Sequence, residues 1–405
     1  MNCRSCGSPN TKPILSLGNI PLANTLLKSL DEPETTYPLD LVFCPECSLV
    51  QVKESVDPMK IFKDYKYYSS GSQTMLKSAA DLVEKTIKER GLNKDSLVVE
   101  IGSNDGYLLK NYVAAGIPVL GIDPCREIAD MAASKGISTI VDYFGTRLVE
   151  QWIYFGERTG AGQADVIHAN NVLAHVPDIN DFVEGISTLL KPDGIAIIEM
   201  PYVRDMIDRC EFDTIYHEHV FYYSIVSLIT LFHRHGLHVN HIEHLDIHGG
   251  SLRITVGKSH EPLNEVGKDL LVDEFYTTIH RDYYKNFGKM VEIIKRDLVI
   301  LLYSLKLQGK RIVGYAASAK GSTLMNYCGI GKYLDYVVDN TPAKQGLYTP
   351  GTHLEIFTPE KLLEDQPDYA LLLAWNFADE IMDREQEYIK RGGRFIIPIP
   401  KVRIV

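Results

Sequence analysis

The sequence predicts an α/β chain: two doubly wound, parallel-sheet domains behind a small zinc-binding module. Three observations carry this expectation. Residues 97–200 alternate strand-like apolar runs with helical segments, residues 311–397 repeat that rhythm, and two C-x-x-C pairs, "CRSC" and "CPEC", stand near the start. Such alternation implies right-handed βαβ units with helices on both faces of a parallel sheet. At 405 residues, 45% of them apolar, the chain is too long for one hydrophobic core and too apolar for disorder.

The divisions expected are 1–57 for the zinc module, 58–245 for the first α/β domain and 246–405 for the second. Cys3, Cys6, Cys44 and Cys47 supply four thiolates, a tetrahedral set with no open position, so the zinc is structural. "MNCRSCGSPN" does not read as an export leader, and a metal site is therefore preferred over a disulfide frame. A polar connector, "FKDYKYYSSGSQ", carries Tyr65, Tyr67 and Tyr68 and reads as a surface linker. The helix "MLKSAADLVEKTIKERG" follows, with Leu76, Ala79, Leu82, Val83 and Ile87 on one face and Gly91 at its end.

In the first α/β domain "SLVVEIG", "PVLGIDP", "ADVIHAN" and "IAIIEMP" read as strands, and "YLLKNYVAAG", "EIADMAASKG" and "DFVEGISTLLKPDG" as the helices between them. "IVSLITLFHRHG" is helix-like, "HIEHLDIHGGSLRITVG" reads as strand, glycine turn, strand, and residues 262–308 form a long helical region. The second domain contributes the strands "RIVGYAA", "YLDYVVDN", "DYALLLAW" and "RFIIPIP".

The first strand runs into Glu100-Ile101-Gly102-Ser103-Asn104-Asp105-Gly106. A dinucleotide fingerprint needs glycine at 104 and glycine or alanine at 107, where Asn104 and Tyr107 stand, so NAD is disfavoured. The E-x-G-x-x-x-G turn, with Asp123 ending the next strand, instead resembles the Rossmann-like S-adenosylmethionine-dependent methyltransferases. That resemblance implies cofactor contacts from Glu100, Gly102, Asn104 and Gly106, with Asp123 accepting from the ribose hydroxyls. Ligands of open α/β sheets bind at the carboxyl edge, where "HANNVLAHVPD" places Asn170, Asn171 and His175. Asn170 and Asn171 are further cofactor candidates, and His175 faces the substrate side.

"YHEHVFYYS" follows the fourth strand and belongs at the same edge. Its H-x-H spacing does not match H-E-x-x-H metal geometry, and no third ligand is evident. Histidines capping the next helix over an aromatic core would be a structural reading. The chemical reading is acid/base work beside a methyl donor. A carbon nucleophile must first lose a proton alpha to a carbonyl, and histidine can take it near neutral pH. His219 is the candidate base and His217 its rival; Glu218 orients a neighbour or a sugar hydroxyl, Tyr216 donates to the developing enolate oxygen, and Tyr222 is a candidate substrate contact.

Taken together, the C-x-x-C pairs, "YKYYSSGS", "EIGSNDGYLL", "NNVLAHVPD", "YHEHVFYYS", "HGGSLR", "YAASAKGSTLMNY" and "VVDNTPAKQGLYTPGT" resemble the sugar C-methyltransferase family over nearly the whole chain. This family includes 3-C-methyltransferases of nucleotide-linked 4-keto-deoxysugars, such as the TDP-sugar enzyme of the tetronitrose pathway. The resemblance implies Y-x-E-H chemistry from Tyr216, Glu218 and His219, with His219 as base at C3. It also implies an active-site histidine at His175 and an active-site tyrosine at Tyr67 or Tyr68. Methylation at C5, or O- or N-methylation on the same scaffold, are the enzymatic alternatives, and a zinc-dependent binding module is the non-enzymatic one.

"GYAASAKGST" approaches a P-loop but fails it, because Ala319 replaces the second glycine and Gly321 follows Lys320. A strand-to-helix turn with a lysine still suits an anion such as a diphosphate. The family implies that this domain holds the substrate's nucleotide, so Ser318, Lys320, Asn340 and Lys344 are contact candidates. Arg253 in "HGGSLR" either pairs with a phosphate or holds the domains together. The net charge of -11, without a Lys/Arg block, excludes the footprint of a nucleic-acid binder. No apolar run reaches the roughly 18 residues of a membrane span. A small-molecule partner and a cytoplasmic location are expected, the oligomeric state is left open, and a monomer is compatible.

Overall fold

The computed structural model describes residues 1–61, 69–71, 73–159 and 162–405. The connector tyrosines Tyr65, Tyr67 and Tyr68 lie outside the described residues. At the N-terminus β1 (Lys12–Pro21), β2 (Thr36–Phe43) and β3 (Val50–Val52) form an antiparallel sheet. Its fourth strand comes from far along the chain.

The central domain contains β4 (Val98–Ile101), β5 (Val119–Ile122), β6 (Thr139–Ile140), β7 (Ala164–Asn170) and β8 (Leu190–Pro201). The short β9 (Phe221–Tyr222) leaves this domain to pair antiparallel with β3. The hairpin β10 (His238–Leu245) and β11 (Ser251–Gly257) returns to it, giving a seven-stranded sheet in the order β10-β11-β8-β7-β4-β5-β6. Strands β4 to β8 are parallel, and runs such as "VVEI" are buried throughout because helices cover both faces. The hairpin straddles residue 245, where the sequence suggested a division, and β11 pairs with β8 along its length.

The C-terminal domain repeats this plan. Strands β12 (Ile312–Tyr315), β13 (Val337–Val338), β14 (Ile356–Phe357), β15 (Tyr369–Leu372), β16 (Arg394–Ile397) and β17 (Arg403–Ile404) run in the order β14-β13-β12-β15-β16-β17. Counted within each domain, both sheets read 3-2-1-4-5 followed by an antiparallel strand. Both therefore open a crevice where the strand order reverses, beyond the carboxyl ends of the first and fourth strands. The turns leaving the first strands also match. Gly102 (φ +65°) donates to the Ile122 carbonyl at 2.7 Å, and Ala316 (φ +79°) donates to the Val338 carbonyl at 2.7 Å.

Two features differ from the expectation. Strand β6 and the helix Thr146–Thr159 add a further unit between β5 and β7. The helical region after β11 is two helices, Glu265–Glu274 and Arg281–Leu307. At the end of the first of them the fully buried Glu274 carboxylate accepts from the Ile225 and Val226 amides (2.7 and 2.9 Å), capping the helix Ile225–Arg234, and from the Tyr202 hydroxyl (2.8 Å). Among the described residues no helix is long and apolar enough to cross a membrane.

Candidate active site

The four expected thiols converge. Their sulfurs all lie within 4.8 Å of one another, with Cys3–Cys47 and Cys6–Cys44 each at 3.6 Å. A tetrahedral thiolate site with Zn–S of about 2.3 Å places its sulfurs roughly 3.8 Å apart, so the residues fit zinc. Each pair closes a similar knuckle. The Gly7 amide donates to the Cys3 carbonyl (2.9 Å) and Ser48 to that of Cys44 (2.8 Å), both donors with positive φ. Burial pushes the Cys44 thiol up to about 11. The module docks on the central domain through Asn180, which donates to the Arg4 carbonyl (2.7 Å), and Arg234, which donates to that of Ser5 (2.8 Å).

At the carboxyl edge of the central sheet, Gly102, Asn104 and Gly106 all have positive φ, so the loop folds back tightly over the end of β4. Asp123 is buried, and its two oxygens accept from the Asn104 and Cys125 amides at 3.0 and 2.9 Å. Each oxygen keeps a further acceptor position, as a ribose diol requires. The Glu100 carboxylate and the Asn170 side-chain oxygen are buried without hydrogen-bond partners among the described residues. Burial, with Asp123 and Asp105 near, holds the Glu100 carboxyl well above the usual range. Unmet buried polar atoms beside an open turn fit a polar cofactor. Asn171, also at positive φ, donates its amide to the Glu199 carbonyl at 2.7 Å.

The motif "YHEHVFYYS" sits beside this edge and divides its side chains. His219 Nδ1 lies 2.9 Å from the Thr214 carbonyl, which makes that nitrogen the protonated one and Nε2 the acceptor, on which the Tyr216 hydroxyl donates. Tyr216 Oη is 2.9 Å from Nε2 and stacks at 4.1 Å between ring centroids. His175 packs 4.9 Å from His219, with its Nδ1 2.8 Å from the Glu218 carbonyl, and Tyr222 lies 6.3 Å away. The Tyr222 hydroxyl is buried with no well-aligned hydrogen-bond partner among the described residues, and the Tyr216 backbone is nearby. His217 points the other way, its Nε2 3.3 Å from the Tyr37 carbonyl in the zinc module. Of the two histidines, His219, which the sequence ranks above His217, is the one beside His175 and Tyr222. Glu218 is 5% exposed, and burial pushes its carboxyl up to about 7 against the opposing hydrogen bond from Asn24. Asn24 was not legible in the sequence, because it lies 194 residues away in a module with no chemical motif besides its cysteines.

The C-terminal crevice approaches the same segment. Thr323, on the helix Ala319–Cys328, donates to the Ile215 carbonyl (3.1 Å), and Trp375 Nε1 donates to Asp213 (2.6 Å). Lys320 Nζ lies 5.1 Å over the Trp375 ring, buried and without a hydrogen bond among the described residues. Its charge opposes the burial that pushes Asp213 up to about 6 and Glu211 up to about 8. Ser318 caps its helix by accepting from the Gly321 amide (3.1 Å). Lys344 donates to the Ala317 carbonyl (2.8 Å), and the exposed Asn340, with its amide assigned so that the oxygen faces Arg384, accepts from that guanidinium at 3.0 and 3.1 Å. Asp339 is the residue missed here. It accepts from the Ala317 and Thr341 amides (2.7 and 2.8 Å), just as Asp123 accepts from Asn104 and Cys125.

Arg253 lies elsewhere. It stands opposite Glu199 across β11 and β8 and binds Glu199 (2.9 and 3.2 Å), Glu243 (3.1 Å) and Ser78 (3.3 Å). Both acids belong to the central sheet, so its guanidinium ties neighbouring strands to the helix Gln73–Arg90.

Three family descriptions match along the chain: a zinc binding domain over residues 3–62, a methyltransferase domain over 73–242 and a C-methyltransferase C-terminal domain over 246–400. The chain is similar to the C-methyltransferase NovU of Streptomyces niveus, with 36% identity over 409 residues, covering 100% of this chain and 96% of that protein. A shorter stretch resembles the ubiquinone biosynthesis O-methyltransferase of Actinobacillus pleuropneumoniae serotype 7 (strain AP76), at 32% identity over 24% of this chain and 42% of that one. Among solved structures, the magnesium protoporphyrin IX methyltransferase of Synechocystis PCC 6803 with bound SAM matches with a TM-score of 0.35 at 14% identity, over 50% of this chain and 89% of that one. This last likeness is too slight to bear on chemistry.

Proposed function

Because this chain belongs to the C-methyltransferase family that includes NovU, we propose that it methylates C3 of a nucleotide-linked 4-keto-6-deoxysugar through an enolate generated by His219. The observation that carries the reading is the preset imidazole: Nδ1 held on the Thr214 carbonyl, Nε2 presented beside Tyr216, His175 and Tyr222. Nε2 takes the C3 proton, and the C–H electron pair moves into the C3–C4 bond, placing negative charge on the C4 oxygen. General-base help of this kind is worth roughly 10²–10⁴-fold. The Tyr216 hydroxyl, which donates to Nε2 in the free site, transfers its hydrogen bond to the developing oxyanion and so releases Nε2 for the proton, and the surrounding aromatic rings exclude water. The loop around Gly102 to Gly106 and the Asp123 carboxylate would hold S-adenosylmethionine, which would supply the electrophilic methyl to C3 as its S–CH3 bond breaks and S-adenosylhomocysteine leaves.

The C-terminal crevice holds the nucleotide end in this reading. Ser318 and Lys320, at a helix start, and Lys344 suit the diphosphate, and Asn340 lies beside them. Asp339 repeats the geometry of Asp123 and so suits a sugar hydroxyl of the nucleoside. Approach of C3 to the methyl within about 3–3.5 Å is what the two crevices must provide.

The test is a mass-spectrometric assay with S-adenosylmethionine and TDP-, GDP- and CDP-4-keto-6-deoxysugars in deuterated water. A gain of one methyl is the expected result, with deuterium entering the α carbon of sugar incubated with enzyme and S-adenosylhomocysteine, where no methyl can be transferred, and the position of the new methyl separates C3 from C5. Transfer only to sugars reduced at C4 would replace enolate chemistry with O-methylation. No transfer to any acceptor, with cofactor bound, would remove the sugar reading.

A further inference from the structure

We infer that the zinc module contributes a positioning residue to the methyl-transfer site: Asn24 holds the Glu218 carboxylate in one orientation, an inference that rests on reading Glu218 as a site residue. Asn24 Nδ2 lies 2.9 and 2.7 Å from the two Glu218 oxygens, bridging both. No cation pairs with this carboxylate among the described residues; burial and the Asn24 amide are the two influences on its protonation. A carboxylate free to rotate would present either oxygen to its neighbours, whereas one bridged from behind presents fixed outer lone pairs.

The surrounding backbone gives the bridge leverage. His217 is held by the Tyr37 carbonyl of the same module, and the Val52 amide donates to the Val220 carbonyl at 2.9 Å. Val50 and Gln51 pair with Tyr222 and Phe221, so the module grips the motif on both sides of His219. The loop bearing Asn24 is in turn anchored by reciprocal Leu27–Tyr348 backbone bonds of 3.0 and 2.9 Å to the C-terminal domain. Asn24 itself is exposed, so it fills no core volume, and truncating it opens no cavity.

The experiment compares Asn24→Ala, Asn24→Asp, Glu218→Gln and the double variant Asn24→Ala/Glu218→Gln in the zinc-loaded full chain. Readouts are kcat and KM across pH, cofactor affinity, zinc content and melting temperature. Asn24→Ala should lower kcat about 10- to 100-fold, the scale of a lost hydrogen bond to a charged group. Zinc content, melting and cofactor affinity should stay near those of the parent. The acid limb of the rate profile should move to higher pH, because a donor to the carboxylate favours its charged form. Asn24→Asp keeps the volume but sets two acids face to face, and should be at least as damaging. The double variant should be no slower than Glu218→Gln alone.

Parent-like rate and pH profile in Asn24→Ala, with Glu218→Gln impaired, would overturn the inference while sparing the role of Glu218. Additive losses in the double variant, or zinc lost together with activity in Asn24→Ala, would also overturn it. Full activity of Glu218→Gln would instead bring down the reading on which the inference rests.

Discussion

Replacing Glu218 by glutamine should make the protein more stable at pH 8 and a poorer catalyst. Burial pushes this carboxyl from its ordinary 4.5 up to about 7, so the folded state prefers the proton that the unfolded chain gives up. The sign follows from linkage. The stability that the protonated group contributes is fully present below about pH 4.5 and is lost as pH rises through about 7. Between those limits the loss amounts to about 3 kcal/mol. Glutamine stays neutral and keeps the shape, and its one oxygen still accepts from Asn24 while the second half of the bridge is lost. Glu218→Gln should therefore exceed the parent by up to about 3 kcal/mol at pH 8 and by much less at pH 5.5. Denaturant unfolding of both zinc-loaded proteins at pH 5.5, 6.5, 7.5 and 8, alongside turnover, measures this directly. A variant less stable than the parent at pH 8, or offset equally at every pH, would refute the claim that a desolvated carboxylate is kept here at a cost to stability.

Two further outcomes are expected. His219→Asn should lower turnover by roughly 10²–10⁴-fold with cofactor affinity within a few-fold, and near-parent turnover would remove His219 as the base. Protein purified without chelator should carry one zinc per chain by metal analysis; Cys47→Ser should release it and cut activity to about a tenth or less, since a lost structural zinc unfolds its module. Parent-like activity in zinc-free protein would refute that dependence.

The elements legible in the sequence were those whose signals are local. Buried parallel strands are continuous apolar runs, so "LVVEI" and "ALLL" declare themselves, and the C-x-x-C pairs need only short knuckles to converge. Strand β6 escaped because it is two half-buried residues long, although Leu148, Val149, Trp152 and Ile153 mark the helix after it. The position of His219 at the chemical edge followed from the order of strands. Its separation from His217 did not, since that depends on which way the backbone turns between Tyr37 and His175. Which of its two readings Arg253 follows was not legible for a similar reason: its partner Glu199 is set by cross-strand register, which no stretch of "HGGSLR" encodes. Asn24 and Asp339 are meaningful only once distant segments are side by side.

The pairing of β3 with β9 has a consequence for how the chain is made. The module emerges before the central domain during synthesis, yet its sheet lacks its fourth strand until residue 222 has been built, and the Asn24–Glu218 contact joins positions 194 residues apart. Closing so long a loop costs entropy before any contact repays it. The nascent module must therefore wait, with β3 unpaired on one side, while the central domain is translated. The segment carrying "YHEHVFYYS" then arrives as the strand that completes it, so in the proposed mechanism the last stage of the module's folding and the assembly of the reaction centre are one event.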